Sequence, residues 1–327
     1  MSKNQHKVLV VGKLPAAAMA LFEARQDVDV TVVTDVADDN LRKLMQDASG
    51  MTLRGAKISA EMIRGAGKLK VISRLGVGYD NVDIPAMNER GAALTVVGEA
   101  NAVNVAELTL CLMLETTKQG MQHDRAIRAN NWAYRLTSHM TELWRKKVLI
   151  VGFGRVGTRV AARCRAFEMD VLVCDPYIDR KRIEDAGCTP VADFRAALPE
   201  IDYLTLHTPL TPETQHMVSR DELRRMKRTA ILINCARGRI VDEPALIEAL
   251  KDGVIRAAGL DVMAKEPPDA DNPLFKLDNV LMTPHMGGAS REAVERGGLV
   301  CAQNVLDAID GCLNPDYVIN KEVLKRG

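Results

Sequence analysis

Short apolar, β-branched runs alternate with stretches of helical period from one end of the chain to the other. A first series of runs covers residues 7–12, 28–34, 50–54, 69–75 and 92–97. A second covers 147–151, 170–175, 201–207, 229–234, 257–262 and 280–283. Runs of about four to eight apolar residues mark strands buried on both faces. Their alternation with helices predicts βαβ units and an α/β fold of two doubly wound parallel-sheet domains.

Between the two series lies a long helical segment, residues 102–130, whose first half (103–114) is apolar almost all round. Such a helix is buried on more than one side. It serves either as a core helix between domains or, in addition, as part of a subunit interface. A last helix, residues 290–310, follows the second series and is expected to return to the first domain. The first domain is then discontinuous, residues 1–100 plus 290–327, with residues 101–289 inserted. No low-complexity tract or repeat breaks this scheme.

Hydrophobic content of 47% and charged content of 27% match a globular protein rather than a disordered one. A net charge of +1 gives no electrostatic case for nucleic acid or an anionic membrane surface. Seven cysteines are scattered without a C-x-x-C pair or metal-ligand spacing, so no metal is expected and reduced thiols in a cytoplasm fit best. Lys13 and Pro15 end the first apolar run too early for a signal peptide. Glu99, Glu107 and Glu115 interrupt the longest apolar region, so no membrane span is expected.

The first candidate chemistry is a glycine turn. The run 147–151 ends in Gly152, Gly154 and Gly157 at the spacing G-x-G-x-x-G, and a helical pattern with Val156, Val160, Cys164 and Phe167 on one face follows. In that context the first glycine makes the turn and the second lets a pyrophosphate approach the backbone. The third lets helix and strand pack closely, and the helix N-terminus faces the phosphates. The next run ends in Asp175, about twenty residues on, where a carboxylate holds a ribose 2′-hydroxyl. Its charge repels a 2′-phosphate, so the cofactor expected is NAD.

Three polar residues follow later runs of the same series: Arg237, Glu266 and His285. Taken singly, an arginine after a strand is usually solvated, an acid before prolines is a turn residue and a histidine is structural. Together they sit at the carboxyl ends of one sheet, where open α/β folds place their ligands. Their types suit reduction of a 2-oxo acid. A histidine of unperturbed pKa about 6.5 donates a proton to the carbonyl, a carboxylate raises that pKa, and an arginine pairs with the substrate. Cys235 beside Arg237 invites a nucleophile reading, but no motif places a base next to it. His207 reads as a packed strand-end residue, and the basic run 224–228 as a solvated helix end.

The chain resembles the D-isomer-specific 2-hydroxyacid dehydrogenase family along nearly its whole length. The matching motifs are Gly76-Val-Gly-Tyr-Asp-Asn-Val-Asp83, Val105-Ala-Glu-Leu-Thr109, Gly152 to Gly157 and His207-Thr-Pro-Leu-Thr-Pro-Glu-Thr214. They continue with Asn234-Cys-Ala-Arg-Gly238, Gly259-Leu-Asp-Val262 with Glu266-Pro267, and Thr283-Pro-His285. The resemblance implies a Rossmann NAD-binding domain inserted into a flavodoxin-like substrate domain, and a homodimer formed through the nucleotide domain. It implies that Arg237 binds substrate, that Glu266 pairs with His285 and that His285 is the acid/base. Backbone amides around Gly76, Val77 and Gly78 would receive the substrate carboxylate. Cofactor contacts would fall on Arg155, Val156, Asp175, Thr208, Pro209, Cys235 and Asp261, with Thr214, Ala236 and Gly288 beside them.

Within that family the chain most resembles the D-3-phosphoglycerate dehydrogenases. Arg54 and Arg135 match positions where arginines meet the substrate phosphate in those enzymes, and two arginines suit a dianionic tail, phosphate or sulfonate. Two departures weigh against phosphoglycerate. The sequence ends at Gly327 without the C-terminal regulatory module many of those enzymes carry, and residues 97–104 bring Glu99 toward the cleft instead of an Asn-Thr-Pro-like segment. Glyoxylate or hydroxypyruvate, a sulfonated hydroxy acid and a bulkier 2-oxo acid are the alternatives. A reading of another class, an NAD-sensing corepressor, is opposed by the retained Arg237, Glu266 and His285.

Overall fold

The structure, a computed structural model, describes residues 6–137 and 139–325. The outermost residues of the expected first domain, 1–5 and 326–327, lie outside that range, as does residue 138. The chain divides into two compact units, residues 1–101 with 288–327, and residues 102–287.

The first unit is built on a parallel sheet of five strands, β1 (His6–Val11), β2 (Val28–Val33), β3 (Ala48–Leu53), β4 (Val71–Arg74) and β5 (Ala93–Thr95), in the order β2-β1-β3-β4-β5. That is the flavodoxin-like order. Alternate residues feed two cores. Leu9, Val11, Met51, Leu53, Ile72 and Leu94 enter one. Val8, Val10, Val71 and Ala93 enter the other, against Ala302 and Val305 of the Arg291–Asp310 helix. That helix starts at Ser290, whose side chain accepts from the amide of Ala293, and ends at Gly311 in the left-handed region at φ 75°. Its close approach depends on Gly50, where a Cβ would lie 2.7 Å from Val305 Cγ1.

The second unit holds a parallel sheet of seven strands, β6 (Lys147–Val151), β7 (Asp170–Cys174), β8 (Thr189–Pro190), β9 (Tyr203–Leu206), β10 (Ile231–Asn234), β11 (Ala257–Leu260) and β12 (Val280–Met282). Their order, β12-β11-β10-β9-β6-β7-β8, is the Rossmann order with one further strand. Order reverses between β6 and β9, and that switch point is where such sheets bind ligands. Along β6, Val148 and Ile150 face the core under the Ala102–Lys118 helix, and Leu149 and Val151 face the opposite core.

Three local expectations differ from the structure. The pair Thr189–Pro190 adds a strand, β8, too short to leave an apolar run. The helix expected over 102–130 is two, Ala102–Lys118 and Gly120–Arg128, parted at Gln119 with φ 55°. Oε1 of Glu115 accepts from the amide of Met121 at 2.6 Å, so a side chain takes up a donor that the break frees from the helix. Phe167 caps the Gly157–Ala166 helix and is 42% exposed, so it leaves the buried face that Val160 and Cys164 share.

Candidate active site

The glycine turn lies between β6 and the Gly157–Ala166 helix, at the switch point of the second sheet. Each glycine answers a different demand. Gly152 takes φ 97°, and a Cβ on it would sit 2.7 Å from the carbonyl oxygen of His207; a Cβ on Gly157 would sit 2.0 Å from the oxygen of Gly152. Gly154 faces open space, with nothing within 4 Å of a Cβ. The turn therefore packs tightly on its protein side and is bare on the other, and no side chain on Val156 caps the helix start. Arg155 and Val156 fill the turn, and Arg155 is exposed.

Asp175 follows β7 and is fixed by two amides. Its Oδ2 accepts from Phe153 at 2.7 Å and its Oδ1 from Tyr177 at 2.9 Å. Each carboxylate oxygen keeps further lone pairs. Beyond β9, the Oγ1 of Thr208 is buried without a hydrogen-bond partner. A buried orphan hydroxyl beside an open glycine turn, together with an anchored acid, fits a dinucleotide. Gly154, Asp175 and Thr208 are the residues that could hold it. Pro209 is exposed and its carbonyl accepts from Thr214 Oγ1, so that hydroxyl closes the local turn. Gly288 belongs to the first unit, beside Asn101.

Arg237, Glu266 and His285 leave β10, β11 and β12 of that sheet. Nδ1 of His285 lies 2.7 Å from Oε2 of Glu266, with the two side chains 49% and 37% exposed. With Nδ1 engaged, Nε2 is the ring atom left for chemistry. The bond to Glu266 raises the pKa of His285 against desolvation, which opposes it. For Glu266 burial pushes upward, but the bond to His285 and that residue's charge hold its pKa below the ordinary value. The charge of Arg237 acts on both groups.

Buried polar groups hold these residues in place. Asn234, at the end of β10, accepts from the amide of Ala236 at 3.0 Å and donates to the carbonyl of Arg237 at 2.9 Å. Asp261, 1% exposed, spends its carboxylate on the His285 loop. Oδ1 accepts from Thr283 Oγ1 at 2.6 Å and from the amide of Met286 at 2.7 Å, and Oδ2 accepts from the amide of Gly287 at 2.8 Å. His285 itself takes φ 54°. A left-handed conformation costs a side-chain-bearing residue about 1–2 kcal/mol, which this clamp offsets. Asn104 donates to the carbonyls of Met286 and Gly287. Sequence reasoning misses the roles of Asn104 and Asn234; a lone asparagine within a helix or ending a strand carries no signal until its partners are placed.

Cys235 is 8% exposed, and burial pushes its thiol up to about 12, which removes the nucleophile reading. The ring of His207 bonds Thr205 Oγ1 at 2.9 Å, and desolvation pushes its pKa down. Arg135 lies in the 3-10 turn Trp132–Leu136, its guanidinium 5.6 Å from the Trp132 ring centroid. In the first unit, Arg54 directly follows β3. There Arg74 donates to the carbonyls of Gly78 and Leu53, so it fastens the turn of Gly76, Val77 and Gly78 to the strand end. No group of acids, cysteines and histidines among the described residues could hold a metal ion.

Sheet order, glycine turn and anchored acid define a dinucleotide-binding α/β protein. Residues 110–287 match the D-isomer specific 2-hydroxyacid dehydrogenase, NAD binding domain. The chain is 39% identical over 313 residues to D-3-phosphoglycerate dehydrogenase of Methanocaldococcus jannaschii, covering 95% of this chain and 59% of that protein. It is 33% identical to glyoxylate reductase of Korarchaeum cryptofilum, over 98% of this chain and 97% of that one. The crystal structure of the TT0316 protein from Thermus thermophilus superposes with a TM-score of 0.85 at 34% identity, over 96% and 99% of the two chains. The chain belongs to the D-isomer specific 2-hydroxyacid dehydrogenase family, and spans about three fifths of the phosphoglycerate dehydrogenases it matches.

Proposed function

We propose that this chain is an NAD-dependent oxidoreductase that interconverts a small D-2-hydroxy acid and its 2-oxo acid. The observation that carries the reading is the His285–Glu266 pair, 2.7 Å apart, in the NAD binding domain. Bound NADH supplies the hydride. His285 delivers the proton from Nε2 to the carbonyl oxygen, and Glu266 stabilises the imidazolium that must be present beforehand. Arg237 pairs with the substrate carboxylate or polarises its carbonyl. The cofactor is held by Gly152, Gly154, Gly157, Asp175 and Thr208. Oxidation runs the same steps backward, with His285 taking the proton.

For the substrate, identity to D-3-phosphoglycerate dehydrogenase supports the pair 3-phosphoglycerate and 3-phosphohydroxypyruvate. The match to a glyoxylate reductase over 97% of its length supports glyoxylate. We further propose a homodimer formed across the Ala102–Lys118 helix, whose Cys111 is exposed and whose neighbour Phe167 is 42% exposed. A cytoplasmic site fits seven unpaired cysteines.

The experiment is oxidation of NADH at 340 nm with hydroxypyruvate, 3-phosphohydroxypyruvate, glyoxylate, 2-oxoglutarate and 3-sulfopyruvate. Turnover of one or more establishes the reaction. Tight NADH binding without turnover of any overturns it in favour of a binding role.

A further inference from the structure

Glu266 sits in an irregular segment between β11 and the 3-10 turn Pro273–Lys276. Inside the segment, Glu266 Oε1 accepts from the amide of Met263 and Lys265 pairs with Asp269. Neither contact ties the segment to the rest of the unit. A tie of that kind comes from Glu243, the half-buried first residue of the Glu243–Lys251 helix. Its Oε2 accepts from the amide of Ala264 at 2.8 Å, and its Oε1 accepts from Asn272 Nδ2 at 3.0 Å. Asn272 in turn caps the 3-10 turn through the amide of Leu274, a residue with no exposed surface. One carboxylate thus grips both ends of the stretch 264–272 that carries Glu266.

An acid in the first turn of a helix ordinarily serves its own helix, through the dipole or as a cap. Here the cap is Asp242, which accepts from the amide of Ala245. Both oxygens of Glu243 are turned to the loop. Charge-assisted bonds to an amide and an amide side chain are the stronger kind and fix direction as well as distance. A loop held at two points cannot swing Glu266 away from His285 without breaking one of them.

We propose that Glu243 is a positioning residue for proton transfer: by gripping Ala264 and Asn272 it holds Glu266 against His285. The inference rests on the dehydrogenase reading of Arg237, Glu266 and His285, and deepens it. The charged groups facing the pair are Arg237 and Asp261.

The test is the titration of His285 in the full chain, followed by NMR of labelled histidine and assigned with His285→Gln, together with the pH profile of kcat/KM. In Glu243→Ala we expect His285 to titrate at lower pH than in wild type, toward its behaviour in Glu266→Gln. The value of kcat/KM should fall about tenfold or more, as displaced catalytic groups do, with the NADH KM unchanged. Glu243→Gln keeps one acceptor oxygen and should fall between. Unchanged titration and pH profile with only a lower melting temperature would overturn the proposal. If Glu243→Ala does not fold, Asn272→Ala removes one grip, leaves the helix intact and is read the same way. Absence of turnover in wild type counts against the dehydrogenase reading, and the His285 titration still tests Glu243.

Discussion

A Cβ atom on Gly238 would lie 2.0 Å from both the carbonyl carbon and the oxygen of Met263. The turn that presents Arg237 is thus pressed, backbone to backbone, on the start of the loop that presents Glu266. Two of the three polar residues proposed for catalysis share one contact that only glycine permits. Gly238→Ala must separate the two backbones, because neither neighbouring atom is a flexible side-chain end. Overpacking of this kind costs about 1–3 kcal/mol, and displacement of catalytic groups by about 1 Å costs about a hundredfold in rate. We expect a lower melting temperature and a kcat/KM lower by that order, measured by thermal unfolding and steady-state kinetics. A variant of wild-type activity would show that Arg237 and Glu266 tolerate separation.

The His285–Glu266 pair sets a pH dependence whose sign is fixed. His285 is raised, so its protonated form is present below its ordinary pKa and is lost as pH rises through the raised value. Glu266 is depressed, so its charge is lost only as pH falls through the lowered value. Reduction of a 2-oxo acid should hold between those limits and fall on the alkaline side, and oxidation should show the opposite dependence on His285. Glu266→Gln should move the alkaline limb of kcat/KM for reduction to lower pH. His285→Gln should lower kcat at least about a hundredfold with NADH affinity retained. Near wild-type kcat in that variant would remove His285 as the acid.

Much of this arrangement can be read from the chain because it is written in local periods. Runs such as Lys147–Val151 and Ile231–Asn234 are buried on both faces, so they stand out as unbroken apolar stretches. The alternation then implies parallel sheets, and strand ends implicate Arg237, Glu266 and His285. What escapes is set by contacts between segments distant in sequence. Glu243 looks like any acid opening a helix until Ala264 and Asn272 are brought to it. Asp261 shows the same limit from the other side. The family resemblance assigns it to the cofactor, and nothing in the sequence tells that its buried carboxylate also accepts from Thr283, Met286 and Gly287. Strand β8 and the break at Gln119 are hidden for a simpler reason, that two residues or one dihedral leave no periodic trace.

That engagement of Asp261 leads to a separate expectation. Asp261→Asn places an amide NH2 where an acceptor is needed, facing either the backbone amide of Gly287 or the donors of Met286 and Thr283. A buried donor opposed to a donor costs about 1–3 kcal/mol. The loop should relax, and His285 should leave its φ of 54°. We expect kcat to fall more than NADH affinity, checked by kinetics alongside fluorescence titration with NADH. A loss confined to NADH binding would instead make Asp261 a cofactor ligand.

Asp175 carries the cofactor choice. Its two oxygens accept from Phe153 and Tyr177, which points the carboxylate by backbone geometry rather than by a flexible partner. A fixed negative charge repels a 2′-phosphate, so kcat/KM should favour NADH over NADPH. Asp175→Ser should narrow that preference by about tenfold or more, since about 1.4 kcal/mol corresponds to tenfold. A wild-type preference for NADPH would overturn the assignment.

The remaining prediction separates a phosphorylated substrate from a small one. Arg54 follows β3 of the first unit, and Arg135 stands over Trp132 in the second. If either guanidinium group holds a dianionic tail, it contributes charge-assisted bonds worth about 1.5–3 kcal/mol net, and only to substrates that carry the tail. Arg54→Ala and Arg135→Ala should then lower kcat/KM for 3-phosphohydroxypyruvate or 3-sulfopyruvate by about tenfold to a hundredfold and leave glyoxylate nearly unchanged. The contrast matters more than either loss, because a general disturbance of the fold reduces both substrates alike. Lysine at either position is the sharper probe: it keeps the charge but loses the fork that grips two oxygens at once, so it should restore the activity only in part. Equal losses on glyoxylate and on the dianionic acids would dismiss the clamp and favour a substrate without a second charged group.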